Sequence, residues 1–211
     1  MIPIDLSGKV AVITGAVQGL GKATASMFLC AGAKIAVNYL DDPAGVGRQR
    51  ALEASSEWGD AALVMAADVR SRAEMTAFFE AVQAKFGRVD FLVNNAAILR
   101  DRSLKNLTDD DWEAVVDTNL SAVFRVSQTA LPFLQDGDRI VNLASISGVI
   151  GFFGQANYAS AKAGVMAFTK VLSRELASRR INVNAVAPGV VLTDMGASIP
   201  EAAREQMLAQ I

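Results

Sequence analysis

The chain has 211 residues and a mass of 22.3 kDa, a length that fits one domain around a single hydrophobic core. Hydrophobic residues make up 52% of the sequence and charged residues 20%, in short interspersed runs, which argues against a disordered or fibrous protein and against a membrane span. The net charge of −2 offers no basic surface for nucleic acid, and the absence of histidine argues against Ser-His-Asp or Cys-His catalysis and against a zinc site.

Six short β-branched runs alternate with longer amphipathic segments. The runs predict strands at residues 10–14, 34–38, 61–66, 89–94, 139–144 and 181–187. The segments between them predict helices at residues 20–31, 43–58, 71–86, 109–134 and 157–179, the last with Asn157 as its N-cap. This alternation predicts an α/β fold with a single doubly wound, Rossmann-type parallel sheet and helices on both faces. Since no repeat or linker divides residues 1–211, we expect one domain, with its functional residues at the carboxyl ends of the strands.

A few features are expected to take no part in chemistry. The first nine residues carry Asp5 and lack the basic end and apolar run of a secretory signal, which predicts a cytoplasmic protein. The lone Cys30 is expected to be a small packing residue. Trp112 and Phe124 are expected to lie in the core or at a subunit contact, away from the substrate groove.

A glycine-rich turn, Thr14-Gly15-Ala16-Val17-Gln18-Gly19-Leu20-Gly21, follows the first strand directly and opens the first helix. Gly15 permits a tight turn, Gly19 lets a pyrophosphate approach the backbone, and Gly21 lets the helix pack closely on the sheet. The amides and partial positive charge of the helix N-terminus supply an anion site. A structural turn is the alternative interpretation, but this position between strand and helix favours a bound dinucleotide.

The end of the second strand leaves the choice between the two nicotinamide dinucleotides open. The strand ends at Asn38 without the acid that binds the ribose of NAD or the base that suits the 2′-phosphate of NADP. The missing acid favours NADP slightly. NAD stays the alternative because of Asp41 and Asp42 and because the glycine turn lacks arginine. The other interpretation of Asp41 and Asp42 is a simple turn before Pro43.

Tyr158, Lys162 and Ser145 form the candidate catalytic set. Tyr158 and Lys162 are four residues apart, so they share one face of the predicted helix, where an ammonium would favour the phenolate. Ser145 ends the fifth strand at the edge where ligands bind, and its hydroxyl could polarise a carbonyl. Taken singly, the pair could be an exposed helical pair and the serine a loop cap. Their conjunction favours catalysis.

These segments together resemble the short-chain dehydrogenase/reductase family over nearly the whole chain. The resemblance rests on Thr14 to Gly21, Asn94-Asn95-Ala96-Ala97, Asn119, Ser145, Tyr158, Lys162 and Pro188-Gly189. It implies that Tyr158 is the proton donor, that Ser145 holds the carbonyl, and that Lys162 lowers the tyrosine pKa and binds the nicotinamide ribose. It also implies that Asn119 holds a water that relays protons through the lysine. Ala97 stands where the family usually has glycine.

The cofactor contacts carry over from the same resemblance, with a helix cap at Asp68 and an ordinary Pro-Gly turn as the alternatives. The implied contacts are Gly15, Gln18, Gly19, Leu20, Gly21, Asn38, Asp68, Val69, Asn95, Ala96, Tyr158, Lys162, Pro188, Gly189, Val191 and Thr193. No metal is implied.

Residues 154–164 and 186–189 look most like 3-oxoacyl-acyl carrier protein reductases. This implies a carbonyl or alcohol substrate, with an acyl carrier protein or coenzyme A thioester as the candidate carrier. A sugar or secondary-alcohol dehydrogenase is the alternative within the family, and a cofactor-binding sensor or scaffold is the alternative outside it. A methyltransferase would not need Tyr158 and Lys162.

The family usually forms homotetramers and continues into a seventh strand. We therefore expect a dimer or tetramer, a chain truncated at its C-terminus, and an exposed sheet edge at residues 181–187.

Overall fold

A computed structural model gives the arrangement of residues 4–197, 199 and 201–210. Six parallel strands form one sheet in the order β3-β2-β1-β4-β5-β6. The strands are β1 (Val10–Ile13), β2 (Lys34–Tyr39), β3 (Ala62–Ala66), β4 (Val89–Asn94), β5 (Leu134–Leu143) and β6 (Asn182–Val186). The strand order reverses between β1 and β4, and such a reversal opens a crevice at the carboxyl ends of these two strands.

Helices connect the strands and cover both faces of the sheet. They are α1 (Gly19–Cys30), α2 (Val46–Trp58), α3 (Arg72–Phe86), α4 (Asp109–Val116), α5 (Ala122–Ala130), α6 (Ser147–Ile150), α7 (Ala156–Glu175), α8 (Asp194–Ala197) and α9 (Glu201–Leu208). Short 3-10 turns lie at Gly59–Ala61, Leu104–Asn106 and Ala177–Arg179. No helix among the described residues has the length and hydropathy needed to cross a bilayer.

Two buried layers hold the sheet between the helices. Phe78 and Phe79 of α3 are fully buried in one layer, and Ala25 of α1 and Trp58 of α2 lie in the other. All four residues of β1 are buried, because helices cover both of its faces. This double burial explains the nearly continuous apolar runs, and the prediction of a doubly wound parallel sheet is confirmed. Strand β6 is the outer strand beside β5, as expected for residues 181–187.

The predicted long helix at residues 109–134 is wrong in two respects. It is broken by a π-helical segment at Asp117–Ser121, and its last part ends at Ala130. Pro132 explains the early end, because a proline cannot donate the main-chain hydrogen bond that would continue the helix. The following strand begins at Leu134 instead of residue 139.

Three smaller predictions also need correction. Asn157 is not an N-cap, because α7 begins at Ala156; it is fully buried and its amide donates to the main-chain oxygens of Arg100 (3.0 Å) and Asp111 (3.2 Å). The same helix ends at residue 175, not 179. Cys30 is exposed and is therefore no packing residue.

Trp112 and Phe124 are 40% and 43% exposed. Side chains with this exposure do not lie in the core, so a subunit contact stays the prediction for both residues.

Candidate active site

The turn after β1 approaches other parts of the chain closely. Gly15 and Gly19 have φ of +61° and +55°, as the tight turn predicted from the sequence requires. Gly21 has no room for a side chain, because a Cβ there would lie 2.4 Å from Nδ2 of Asn95. The N-cap residue Gln18 is exposed and makes no side-chain capping hydrogen bond. The first-turn amides of α1 are therefore not used by that side chain, which leaves them able to bind an anion.

Polar contacts tie this turn to the end of β4. The hydroxyl of Thr14 accepts hydrogen bonds from the N–H groups of Asn95 (2.9 Å) and Ala96 (3.0 Å). The amide of Asn95 donates in return to the main-chain oxygens of Thr14 (2.8 Å) and Gly15 (3.3 Å). These bonds fix the width of the crevice between β1 and β4, where a doubly wound sheet binds its ligand.

Ser145 lies at the carboxyl end of β5 and starts the turn into α6. Its Oγ accepts a hydrogen bond from the N–H of Ser147 (3.1 Å). A Cβ on Gly148 would lie 2.8 Å from the main-chain carbon of Lys162, so the absence of a side chain lets α6 press against α7. This close approach brings the turn that carries Ser145 beside the helix that carries Tyr158.

Lys162 is buried, with 2% of its surface exposed. Its Nζ donates to the main-chain oxygen of Leu143 (2.5 Å) and lies 5.7 Å from the centre of the Tyr158 ring. Burial lowers the pKa of Lys162 to about 8, because an apolar environment disfavours the ammonium. Most of the lysine is therefore still protonated at neutral pH.

Burial is also the largest influence on Tyr158, and it raises the pKa of the phenol. A hydrogen bond from the Ser145 side chain lowers this pKa, and the charge of Asp101 raises it further. The net direction is opposite to the lowering expected from Lys162, because desolvation of the phenolate outweighs the other influences. The phenol consequently stays protonated at neutral pH, which suits a proton donor.

Asn119 lies in the π-helical segment and is fully buried. Its Oδ1 accepts from the N–H of Ile98 (2.9 Å), and its Nδ2 donates to the carbonyl oxygen of Ile98 (2.9 Å). Both ends of the side chain therefore hold the loop after β4. The water relay toward Lys162 stays a prediction, and the π segment that carries Asn119 is a kind of helix irregularity that is frequent at functional sites.

A cleft at the carboxyl edge of the sheet brings most of the predicted site together. Ser145, Tyr158 and Lys162 line it, while Asn119 does not. The predicted cofactor contacts that line the same cleft are Gly15, Gln18, Gly19, Leu20, Gly21, Asn95, Pro188, Gly189, Val191 and Thr193. Ile199 and Met207, from the segment after Thr193, also line it.

The other four predicted cofactor contacts, Asn38, Asp68, Val69 and Ala96, are not part of the cleft lining. Asn38 is 2% exposed; its amide accepts from the N–H of Gly15 (3.2 Å) and donates to a main-chain oxygen after β3 (2.7 Å). Val69 is buried in the core, and Ala96 packs against the core edge. Asp68 forms an ion pair with Arg70 (2.6 Å). These four stay predictions as cofactor contacts.

The sequence pattern did not indicate Ser147, Gln155 and Asp101, which surround the candidate catalytic set. The first two line the cleft and are 2% and 4% exposed. Gln155 stands three residues before Tyr158, a helical spacing that could have indicated a shared face. Asp101 carries no such signal, because it lies in a loop whose path the sequence does not fix.

The cleft fits a nicotinamide dinucleotide. The positive-φ turn at Gly15 and Gly19 and the open N-terminus of α1 suit a pyrophosphate, which needs close backbone approach and N–H donors. Lys162 lines the same cleft and can bind a ribose hydroxyl. The cleft thus combines an anion cradle with candidate proton-transfer groups.

Comparison with known proteins agrees with this geometry. The family model described as short chain dehydrogenase matches residues 9–204. The 3-oxoacyl-[acyl-carrier-protein] reductase FabG of Thermotoga maritima is 41% identical over 208 residues, 98% of this chain and 83% of that protein. The 3-oxoacyl-[acyl-carrier-protein] reductase of Synechocystis is 43% identical over 192 residues, 90% of this chain and 77% of that protein.

A crystal structure titled short-chain dehydrogenase/reductase, glucose/ribitol dehydrogenase, from Brucella melitensis aligns with a TM-score of 0.90 at 29% identity, covering 99% of this chain and 83% of that one. A Serratia marcescens short-chain dehydrogenase/reductase mutant aligns with a TM-score of 0.85 at 32% identity, covering 96% and 82%. The chain belongs to the short-chain dehydrogenase family and is an NAD(P)-dependent oxidoreductase.

Proposed function

We propose that the protein reduces the keto group of a 3-oxoacyl thioester carried by an acyl carrier protein or coenzyme A, with NADPH as reductant. The observation that carries the proposal is the convergence of Ser145, Tyr158 and Lys162 on the cleft that also contains the glycine turn. The two relatives named above, which act on 3-oxoacyl-[acyl-carrier-protein] by their names, support the substrate class.

In this proposal the carbonyl oxygen of the substrate lies between the Ser145 hydroxyl and the Tyr158 phenol. A nicotinamide held in the cleft would supply the hydride that the carbonyl carbon accepts. Ser145 can donate its hydroxyl proton to the substrate oxygen while its own oxygen accepts the N–H of Ser147. Tyr158 transfers its proton to the oxygen, and the Lys162 ammonium stabilises the phenolate that remains.

The choice of NADP rests on the region after β2. Arg48 is 63% exposed and paired with Asp41 at 2.6 Å. An exposed ion pair of this kind contributes little stability, so the guanidinium can bind a 2′-phosphate instead at small cost. Replacing Arg48 by alanine is expected to raise the KM for NADPH about tenfold and to leave the KM for NADH unchanged. A wild-type enzyme that prefers NADH contradicts this part of the proposal.

The first test is turnover of the wild-type protein with NADPH and NADH against three substrate groups: a 3-oxoacyl thioester, a sugar and a simple secondary alcohol. We expect the thioester with NADPH to give the highest kcat/KM. A sugar or secondary alcohol turned over faster than the thioester overturns the substrate class and favours the alternative indicated by the Brucella neighbour.

The second test replaces Tyr158 by phenylalanine. Loss of the proton donor is expected to lower kcat about 100-fold or more, while NADPH binding measured by fluorescence titration stays unchanged. A variant that keeps more than about a tenth of the wild-type rate contradicts Tyr158 as the donor.

We also propose that the protein forms a homodimer or homotetramer through the exposed sides of α5 and α7. Phe124 on α5 is 43% exposed and Val171 on α7 is 53% exposed, apolar surface that a second copy would cover. Light scattering after gel filtration should give two or four times 22.3 kDa. A monomer at micromolar concentration contradicts this assembly.

A further inference from the structure

A chain of hydrogen bonds runs from the loop after β4 to the catalytic serine. Oδ2 of Asp101 accepts from Nε2 of Gln155 (2.7 Å), and Oε1 of Gln155 accepts from the Ser147 hydroxyl. The N–H of Ser147 then donates to Oγ of Ser145 (3.1 Å). Three bonds thus link a carboxylate to the hydroxyl that faces Tyr158.

The chemistry of these groups allows only one arrangement of donors and acceptors along this series of hydrogen bonds. An ionised carboxylate accepts and cannot donate, so the Gln155 nitrogen must face Asp101 and its oxygen must face Ser147. The Ser147 hydroxyl is then a donor, and its main-chain N–H is held toward Ser145. That N–H occupies one acceptor position of the Ser145 oxygen and so orients the hydroxyl, whose proton can donate to a substrate oxygen.

The main chain brings the two ends together without help from these side chains. The N–H of Arg102 donates to the carbonyl oxygen of Gly154 (2.8 Å), and Arg102 forms an isolated parallel bridge with Gln155. Removing the side-chain bonds should therefore leave the loop beside the start of α7. Variants of these residues are expected to fold.

The partly buried position of the Asp101 carboxylate costs free energy. Its Oδ1 is buried without a hydrogen-bond partner among the described residues, and burial raises the pKa of its carboxyl group. It does not line the cleft, so it is not placed to contact substrate directly, whereas Gln155 and Ser147 do line it. A carboxylate kept behind the site at such cost points to a role through its neighbours.

We propose that Asp101, Gln155 and Ser147 are positioning residues: they form a bridge that fixes the direction of the Ser145 hydroxyl, with Asp101 as its charged anchor. The inference rests on the proposed function, because it assigns Ser145 to the reacting carbonyl. Asp101 also acts on Tyr158 electrostatically, since its negative charge disfavours the phenolate.

Among the described residues, few other charges lie near this group. Lys162 reaches Tyr158 from α7, and Arg102 faces Asp101 from its own loop. The nearby ion pair of Arg100 and Asp111 is long, at 3.9 Å.

Asp101→Asn tests the anchor, because the amide can still accept from Gln155 but carries no charge. The Tyr158 pKa should fall, so the alkaline limb of kcat/KM for reduction should move to lower pH by roughly half a unit. Asp60→Asn, an exposed acid beside the amino end of β3, is the matched control and should leave the profile unchanged. An unmoved limb in Asp101→Asn overturns the role of the anchor.

Gln155→Leu and Ser147→Ala test the bridge. Each is expected to lower kcat about tenfold, with little change in the KM for NADPH. The melting temperature should change by no more than a few degrees. The double variant should be no slower than the slower single variant, because both substitutions break the same chain. Losses that multiply, or single variants with the wild-type rate, overturn the bridge. Wild-type turnover and its loss in Tyr158→Phe report separately on the proposed function.

Discussion

The two edges of the sheet treat buried charge in opposite ways. At the amino edge, Asp90 is 2% exposed and accepts hydrogen bonds from Nζ of Lys9 (2.9 Å), the N–H of Val10 (2.9 Å) and the guanidinium of Arg88 (2.7 Å). At the carboxyl edge, Lys162 is equally buried, yet its ammonium donates to a main-chain carbonyl, and the described residues provide no carboxylate partner for it.

This difference separates charge that stabilises the fold from charge kept for chemistry. A buried carboxylate with several donors has its desolvation cost offset, whereas a buried ammonium without a counter-charge destabilises the folded state. The proposed function accounts for a lysine at the carboxyl edge, because there a cation beside Tyr158 would serve proton transfer, and active sites typically sacrifice stability in this way. The contrast predicts that substitutions at the two edges have opposite consequences.

Lys162→Met should give the largest effect. Removing the ammonium is expected to lower kcat about 100- to 1,000-fold, since the Tyr158 phenolate loses its stabilising cation. The same change should increase the free energy of unfolding by about 1–2 kcal/mol at pH 7, because an apolar side chain replaces a buried charge. Steady-state kinetics and urea denaturation measure the two effects on one preparation.

The matched control for this change is Lys170→Met, which removes an exposed lysine two turns further along α7. It should leave kcat unchanged and should change the free energy of unfolding by no more than about 0.5 kcal/mol. If Lys162→Met is less stable than the wild type, the carboxyl edge is not the strained edge and the comparison fails.

Asp90→Ala should show the converse behaviour. Lys9 and Arg88 are 44% and 39% exposed and can return to water, but the N–H of Val10 is left buried without its acceptor. We expect the free energy of unfolding to fall by about 3 kcal/mol. Below the melting transition kcat should be unchanged, because these residues lie at the opposite edge from Tyr158. A tenfold loss of kcat in the folded variant would contradict the separation of the two edges.

The pH dependence of stability sharpens the same comparison. Burial lowers the pKa of Lys162 from 10.5 to about 8, so between these values the unfolded chain binds more protons than the folded one. The free energy of unfolding contributed by this group therefore rises with pH through that window, by roughly 3 kcal/mol. Below pH 8 the lysine is protonated in both states and its penalty is constant.

The measurement is urea denaturation of the wild type and Lys162→Met at pH 7 and at pH 10. The stability advantage of the variant should shrink as the pH increases. An advantage that stays constant or grows contradicts the lowered pKa.

Much of this architecture follows from the sequence. The strands and their parallel order follow from runs such as residues 10–13, which are buried on both faces. The meeting of Ser145 with Tyr158 is predictable because the end of a strand and the next helix are neighbours in this fold. The charge pairing at the amino edge is not, since Lys9 and Asp90 are 81 residues apart and neither lies in a motif.

The remaining site features depend on contacts that a local pattern cannot express. The π segment contains Asn119, whose side chain hydrogen-bonds to the main chain of Ile98 in the loop after β4. The Tyr158 pKa was expected to fall because helical spacing indicates the nearby lysine, but spacing does not indicate burial. Asp101 reaches Gln155 from 54 residues away, so no short sequence pattern predicts this contact.

Arg180→Gly should give the smallest effect and tests whether the amino edge carries strain of another kind. Arg180 has φ of +56° just before β6, a left-handed conformation that costs most side chains about 1 kcal/mol. Its ion pair with Asp136 is exposed and long, at 3.9 Å, so little is lost with it. Glycine adds entropy to the unfolded chain, which leaves an expected gain of about 0.5 kcal/mol in the free energy of unfolding and no change in kcat. Destabilisation in urea denaturation would mean that contacts of the arginine outweigh its backbone strain, and that the amino edge is more fully compensated than its geometry indicates.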